Sequence, residues 1–383
     1  MDCGKRIAGE IHAACGQVKR ARKNASCLED SRMAFKMEIK KILVRAPNWI
    51  GDSVMCLPAM ESLKALFPSS EITVLTRSRS IPVFKNNPCV KDIIEHDGNG
   101  RHKGIGGRLR LARELKDRGF DLAVLFQNAF DAAFVSFAAG IPERAGYARD
   151  LRSGFLTKAI RVTDEIKKKH QVFYYLNIVE NLGGSASSCV PRIYLSDDES
   201  AWADEFIKKN GLAGECLVGA APAASYGPAK RWGAGNFAGV LTMLSESFGG
   251  VTMIFGGKED AELCAEVSAG LKHRHLNVAG IFDLRQFMAI LTRLKVFITN
   301  DSGPMHISAA LDVPTVAIFG STDPGLTGPL SERSRVLIKK TECSPCFERS
   351  CRYGHYKCLR AISTGEVFRA TQGLMKSGVP EHA

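Results

Sequence analysis

Two stretches of this chain join a short apolar run to a polar turn and then to a helix start. The first is Ile42-Leu-Val-Arg-Ala-Pro-Asn-Trp-Ile-Gly-Asp52. An apolar run of this length predicts a buried strand, and Pro, Asn and Gly predict the turn after it. Asp52 then opens a helix at the carboxyl end of a strand, where open α/β sheets place ligands. A carboxylate there can take a proton from a hydroxyl as that oxygen attacks an activated carbon. Asp also suits a first helical turn for dipole reasons, and position alone favours that structural role.

The second is Val296-Phe-Ile-Thr-Asn-Asp-Ser-Gly-Pro-Met-His306. Pro304 suits a first helical turn. The free amides of that turn, with the helix dipole, make an anion site suited to a diphosphate. Asp301 and His306 stand in the same junction, and His306 could donate to a phosphate or serve as a core or capping histidine. Lys230, in Gly227-Pro-Ala-Lys-Arg-Trp232, adds a cation for a diphosphate; a solvated loop lysine is the bland alternative. Trp232 is expected to pack on the following helix. Phe255-Gly-Gly-Lys-Glu-Asp260 places a carboxylate where ribose hydroxyls are bound in nucleotide sites, or simply caps a helix.

Cys343, Cys346, Cys351 and Cys358, with His355 among them, have the spacing of a compact metal site. Zinc is the first candidate and would be structural. A cluster of buried free thiols is the alternative.

The elements that must position these residues alternate. Strands are expected at 42–45, 72–76, 90–95, 122–126, 216–220, 251–255, 276–278, 296–299 and 315–319, with helices between them. This alternation implies parallel sheets covered on both faces. Gly183 to Pro191 is the best linker, so the expected domains are 37–186 and 187–383, the second carrying the Cys-rich segment at 343–358. Residues 1–36 form a basic extension, or precede a true start at Met33 or Met37.

At 383 residues, 45% hydrophobic and 24% charged, the chain has the composition of a globular protein with two cores. No secretory signal and no membrane-length apolar run is visible, so a cytoplasmic setting is expected, with the twelve cysteines mostly free thiols. The net charge of +12 favours anionic partners. Basic and aromatic residues do not interleave, which argues against nucleic acid. Arg144, Arg149 and Arg152 could instead meet the phosphates of an anionic glycolipid.

Together, Pro47-Asn-Trp-Ile-Gly-Asp52, Gly227-Pro-Ala-Lys-Arg-Trp232, Asn300-Asp-Ser-Gly-Pro-Met-His306 and the Cys343–Cys358 segment resemble the ADP-heptose:lipopolysaccharide heptosyltransferases, specifically their second branch. The likeness runs from about Lys41 to about Phe368. It implies a GT-B fold, two Rossmann-like doubly wound α/β domains facing across a cleft. It implies inverting transfer of heptose from ADP-heptose to a heptosyl-Kdo-lipid A acceptor, with no cofactor required for catalysis. The enzyme would then be peripheral on the cytoplasmic face of the inner membrane. Asp52 would be the base. Lys230, Asp301, Ser302, Gly303 and His306 would hold the donor, with Asp260 at its ribose and Phe282 at its adenine. Asn48, Gly51, Asn128 and Arg149 are the acceptor-side candidates. The chain departs from the family at Asn128-Ala-Phe-Asp131, where an acid replaces a common cation, and at Ala221-Pro-Ala-Ala-Ser225. The alternatives are a relative with another acceptor or nucleotide sugar, including the first heptosyltransferase branch, or a non-catalytic metal- or glycolipid-binding protein on this fold.

Overall fold

Strand β1, Lys41–Arg45, is buried along Ile42 to Arg45 because a strand lies on either side of it and helices cover both faces. The computed structural model describes residue 35 and residues 37–377. The basic extension expected at 1–36 lies outside the described residues, Phe35 apart. The described residues divide into two compact units between Tyr194 and Leu195.

The first unit holds β1, β2 (Glu71–Thr76), β3 (Asp92–Glu95), β4 (Leu122–Leu125), β5 (Glu143–Tyr147) and β6 (Lys158–Ile160). All pair in parallel, in the order β3-β2-β1-β4-β5-β6. Ile42 aligns with Ile72 on one side and Leu122 on the other. The helices used below are α1 (Ile50–Met55), α2 (Leu57–Leu66), α3 (Gly104–Lys116), α4 (Phe130–Ala138) and α5 (Gln171–Glu180). Leu111, Ala112 and Leu115 of α3 and Ala132, Ala133 and Val135 of α4 share one core with Leu43, Leu75, Ala123 and Leu125 of the sheet.

The second unit holds β7 (Leu217–Ala221), β8 (Val251–Ile254), β9 (His275–Asn277), β10 (Val296–Asn300), β11 (Thr315–Phe319) and β12 (Ser334–Ile338). Its sheet is also wholly parallel, in the order β12-β11-β10-β7-β8-β9. Its helices include α6 (Asp197–Lys209), α7 (Ala234–Phe248), α8 (Ala261–Ala269), α9 (Leu284–Leu291), α10 (Gly303–Ala310) and α11 (Thr364–Ser377). Read from its other edge, the order matches that of the first unit. Each sheet therefore reverses direction once, between β1 and β4 and between β7 and β10, and such a switch point is where open α/β sheets bind ligands.

Three strands escape the sequence pattern. β5, Glu-Arg-Ala-Gly-Tyr, carries two charges and a glycine, and β6 and β12 are an edge strand each. They are strands because a neighbour supplies the backbone partners, which a local pattern cannot report. The stretch expected to link the domains, Gly183 to Pro191, is instead tied into the first unit. Gly184 N donates to Val179 O at 3.0 Å, and Ser187 N donates to the Ser62 hydroxyl at 3.2 Å. The division consequently falls a few residues later than the composition suggests.

Candidate active site

The loop after β1 places Asp52 in the first turn of α1, half-buried, at the switch point of the first sheet. Tyr175 of α5 donates its hydroxyl to Asp52 Oδ1 at 2.9 Å. Tyr175 is 3% exposed, with its ring edge-on to Phe126 at 5.6 Å between centroids. Burial, and then the Asp52 charge, push its phenol well above the ordinary tyrosine value. It is thus a fixed neutral donor. Burial and the same carboxylate also raise the Cys56 thiol, so it is no competing anion. Nothing in the sequence pointed to Tyr175. Helical periodicity places it on the buried face of α5, but only folding brings it to a residue 123 positions away.

Behind this loop lies a buried cation. Arg45, at the end of β1, donates to Ala46 O at 3.0 Å, Leu75 O at 3.1 Å and Asn48 Oδ1 at 3.2 Å. Its Nη2 also lies 2.9 Å from His96 Nδ1. A guanidinium can only donate, so Nδ1 accepts and His96 is neutral. Burial, then Arg45 and Arg77, lower His96 to about 3, and burial lowers Arg45 to about 10. Asn48 is held from two sides, since its carbonyl also accepts from Arg79 Nε at 2.9 Å. Gly51 is half-buried in the first turn of α1.

Asn128, after β4, is likewise fixed. Its Nδ2 donates to Tyr174 Oη at 2.9 Å and its Oδ1 accepts from Arg152 Nη2 at 3.0 Å. Arg152 is fully buried and also donates to the Tyr147 carbonyl at 2.8 Å, so it shapes the loop and cannot reach an acceptor phosphate. Arg149 is exposed. Arg144 is half-buried and spends its guanidinium on Phe155 O at 2.5 Å and Pro142 O at 3.1 Å.

In the second unit the loop after β7 carries Lys230, whose Nζ lies 2.5 Å from Asp301 Oδ2. Asp301 follows β10, so the pair bridges the two strands that flank this switch point. Asp301 is 3% exposed and also accepts from the Thr322 hydroxyl. Lys230 Nζ stands 4.7 Å from the Tyr226 ring centroid, which adds a cation–π contact. Neither Thr322 nor Tyr226 was apparent from the sequence.

Asn300 completes the frame. It donates to Pro222 O at 2.6 Å and accepts from Trp232 N at 3.2 Å. Trp232 is buried against Phe237 and donates to Ile362 O at 2.9 Å, the packing role expected of it. Ser302 caps α10 in extended backbone, and its hydroxyl turns back to Asn300 O at 3.2 Å. The Gly303 and Pro304 turn follows, and His306 is buried behind it.

Asp260 Oδ2 accepts from Gly257 N at 3.0 Å, the capping geometry weighed as its alternative role. Phe282 belongs to an aromatic cluster, 5.0 Å from Phe206, 5.6 Å from Trp202 and 6.4 Å from Phe255.

The Cys-rich segment has a visible structural task. Its Arg349 carbonyl accepts from Ala229 N at 3.0 Å, and its Phe347 carbonyl accepts from Tyr226 Oη at 2.6 Å. It therefore backs the loop that carries Lys230. Gly227 sits at φ 150°, and a Cβ there would lie 2.3 Å from Arg349 O, so the contact requires glycine. Cys343, Cys346, Cys351 and Cys358 are all free thiols; Cys346 is exposed, and Cys351 Sγ lies 3.8 Å from His355 Nδ1. Among the described residues no three His, Cys, Asp or Glu side chains converge in a way that could hold a metal ion. Of the other described cysteines only Cys189 is disulfide-bonded.

Two parallel units of this order, each with polar groups at its switch point, define a doubly wound α/β protein whose ligands bind at the strand ends. The model of glycosyltransferase family 9 (heptosyltransferase) matches residues 108–357. Lipopolysaccharide heptosyltransferase 2 of Salmonella typhimurium is 31% identical over 349 residues, covering 88% of this chain and 98% of that one. The structure of E. coli ADP-heptose lipopolysaccharide heptosyltransferase II aligns with a TM-score of 0.75 at 28% identity, over 88% of this chain and 99% of that one. A family 9 glycosyltransferase from Veillonella parvula aligns at 0.82 with 29% identity, over 90% and 100%. The fold is GT-B, and the chain belongs to glycosyltransferase family 9 and is a glycosyltransferase.

Proposed function

We propose that this enzyme transfers L-glycero-D-manno-heptose from ADP-heptose to the heptosyl-Kdo-lipid A inner core of lipopolysaccharide, with inversion at the transferred carbon. The observation that carries the mechanism is the Asp52 carboxylate in the first turn of α1 at the switch point, where it accepts from the neutral Tyr175 phenol. At the other switch point Asp301 is engaged by the Lys230 ammonium.

An acceptor hydroxyl approaches Asp52 and gives it its proton as the oxygen attacks the anomeric carbon of heptose. The new C–O bond forms on the face opposite the departing group, and the old anomeric C–O bond breaks to release ADP. Tyr175 holds the carboxylate through Oδ1 and so orients it toward the incoming hydroxyl. Lys230 supplies positive charge as the diphosphate leaves, and the amides at Ser302 and Gly303 add the dipole of the α10 start. Asp301 and Thr322 act on the donor through Lys230, by fixing where its ammonium stands. Asp260 and Phe282 are assigned to ribose and adenine, and Asn48, Gly51 and Arg149 to the acceptor. With Asn128 held between Tyr174 and Arg152, its role is to fix the loop. The reaction we propose takes place at the cytoplasmic face of the inner membrane. Among the described residues no helix is long and apolar enough to cross a membrane.

The test is ADP release on mixing the enzyme with ADP-heptose and a core acceptor bearing one heptose. The expected result is acceptor-dependent release with a heptose-sized mass gain. Tight ADP binding without transfer would retain the donor site and reject this acceptor. No nucleotide binding would reject the reading.

A further inference from the structure

In a wholly parallel sheet every strand delivers its chain to the same edge. The loops after β3, β4 and β5 therefore emerge beside the loop after β1, which carries Asp52. Each of these three connections presents a large apolar side chain to solvent. Ile105, where α3 begins, is 71% exposed; Phe130, where α4 begins, is 46%; Leu151, after β5, is 93%. Leu109 and Phe137 extend the apolar surface along the same two helices.

These side chains are not strays from the core. Leu151 sits at φ 58°, a left-handed conformation that is unfavourable for a bulky residue. Phe130 and Phe137 each pack on Phe155, at 5.4 Å and 5.3 Å, and form an aromatic ridge rather than isolated rings. Exposed cations stand in the same connections, Arg101 and Lys103 before α3 and Arg149 before Leu151, with Arg110 on α3. The exposed acids there are Glu95, which accepts from Ser78, and Asp150. Apolar side chains set among a surplus of arginine and lysine match an anionic bilayer surface, where apolar groups enter the acyl boundary and cations meet headgroup phosphates.

We infer that this edge of the first unit, centred on Ile105, Phe130 and Leu151, is a docking surface for an anionic lipid bilayer. The inference deepens the reading of a lipid-linked acceptor. It sets the base Asp52 on the edge that meets the surface in which such an acceptor is anchored.

The experiment is co-sedimentation of the full chain, without nucleotide, with vesicles of phosphatidylcholine alone and of phosphatidylcholine with roughly a third phosphatidylglycerol. The expected result is binding to the anionic vesicles only, falling by about tenfold or more when NaCl is raised to about 0.5 M. The double variant Ile105→Glu/Leu151→Glu changes two exposed positions and should keep its melting temperature. It should bind the anionic vesicles at least about tenfold more weakly, since it exchanges buried apolar area for repelled charge. Arg101→Ala/Lys103→Ala should weaken binding with a shallower salt dependence. Turnover of a water-soluble, delipidated acceptor should be unchanged in both variants.

Equal binding to both vesicle types, or unchanged binding by the Glu variant, would overturn the inference. So would a wild-type dimer that the Glu variant dissociates, because a second copy would then cover the surface. Failure of heptosyl transfer with vesicle binding intact would reject the proposed reaction and leave the docking surface standing.

Discussion

Asp52 and Asp301 follow β1 and β10, strands that flank the switch points of two sheets of the same order. Their surroundings give them different tasks. Asp52 is half-buried and accepts a hydrogen bond from the neutral Tyr175 phenol. Asp301 is 3% exposed, with an ammonium at 2.5 Å and a threonine hydroxyl on the same oxygen. Its charge is spent within the protein, and what it offers a ligand is a positioned lysine. A carboxylate at a switch point is therefore not in itself a catalytic base, since Asp301 is already engaged in positioning a lysine.

The sharpest way to break this comparison is Asp52→Asn. It keeps the shape and removes the base, so kcat should fall by about 10²–10⁴-fold. ADP affinity, measured by calorimetry, should be unchanged. A variant with near-normal kcat would remove Asp52 from the mechanism.

The reverse change at the other site should act on binding and stability. Asp301→Ala leaves the Lys230 ammonium, with its side chain 12% exposed, without its carboxylate. Loss of one partner of such a pair costs about 3–5 kcal/mol of stability in denaturant unfolding. Lys230→Ala should weaken ADP binding by at least about tenfold, the scale of one lost charge-assisted contact. Unchanged affinity in Lys230→Ala would overturn the donor assignment.

A finer test is Tyr175→Phe. It should lower kcat by about tenfold, the worth of one hydrogen bond of about 1.5 kcal/mol to a charged group. The KM for donor should stay the same. The acid limb of the pH–rate profile should also move to higher pH, because the carboxylate loses a donor that favours its charged form. A fall in kcat with no displacement of that limb would make Tyr175 a packing residue only.

The smallest effect concerns the frame behind Asn48. His96 is lowered by burial and the nearby arginines to about 3, from an ordinary 6.5. Between those values the unfolded chain binds a proton that the folded chain does not. Stability supplied here is present above about 6.5 and is lost progressively as pH falls toward about 3. His96→Asn should flatten the melting temperature against pH in that window; an unaltered slope would reject His96 as its source.

Much of the frame was legible before folding. Apolar runs ending in Pro-Asn-Trp-Ile-Gly-Asp52 and Asn-Asp-Ser-Gly-Pro-Met-His306 marked two strand–turn–helix junctions, because strand burial and helix starts are written in local residue types. β5 and β6 were not legible. Glu143 and Arg144 open β5 with two charges, and only pairing with β4 makes that segment a strand. The expected boundary near residue 186 was displaced because Ser187 reaches back to Ser62, a contact without local signal.

From its own order of residues the chain determined alternation, parallel sheets, the loops that carry Asp52, Lys230 and Asp301, and the resemblance that links them. These follow from periodicity, turn chemistry and helix starts, all of which act within a few residues. Only the tertiary structure decided that Tyr175 donates to Asp52, that Thr322 shares Asp301 with Lys230, and that the Cys-rich segment supports the lysine loop. Each of these depends on residues far apart in the chain, brought together when the helices cover the sheets. The physical reason is that a side chain's chemistry is set by its nearest partners in space, and those partners are chosen by packing.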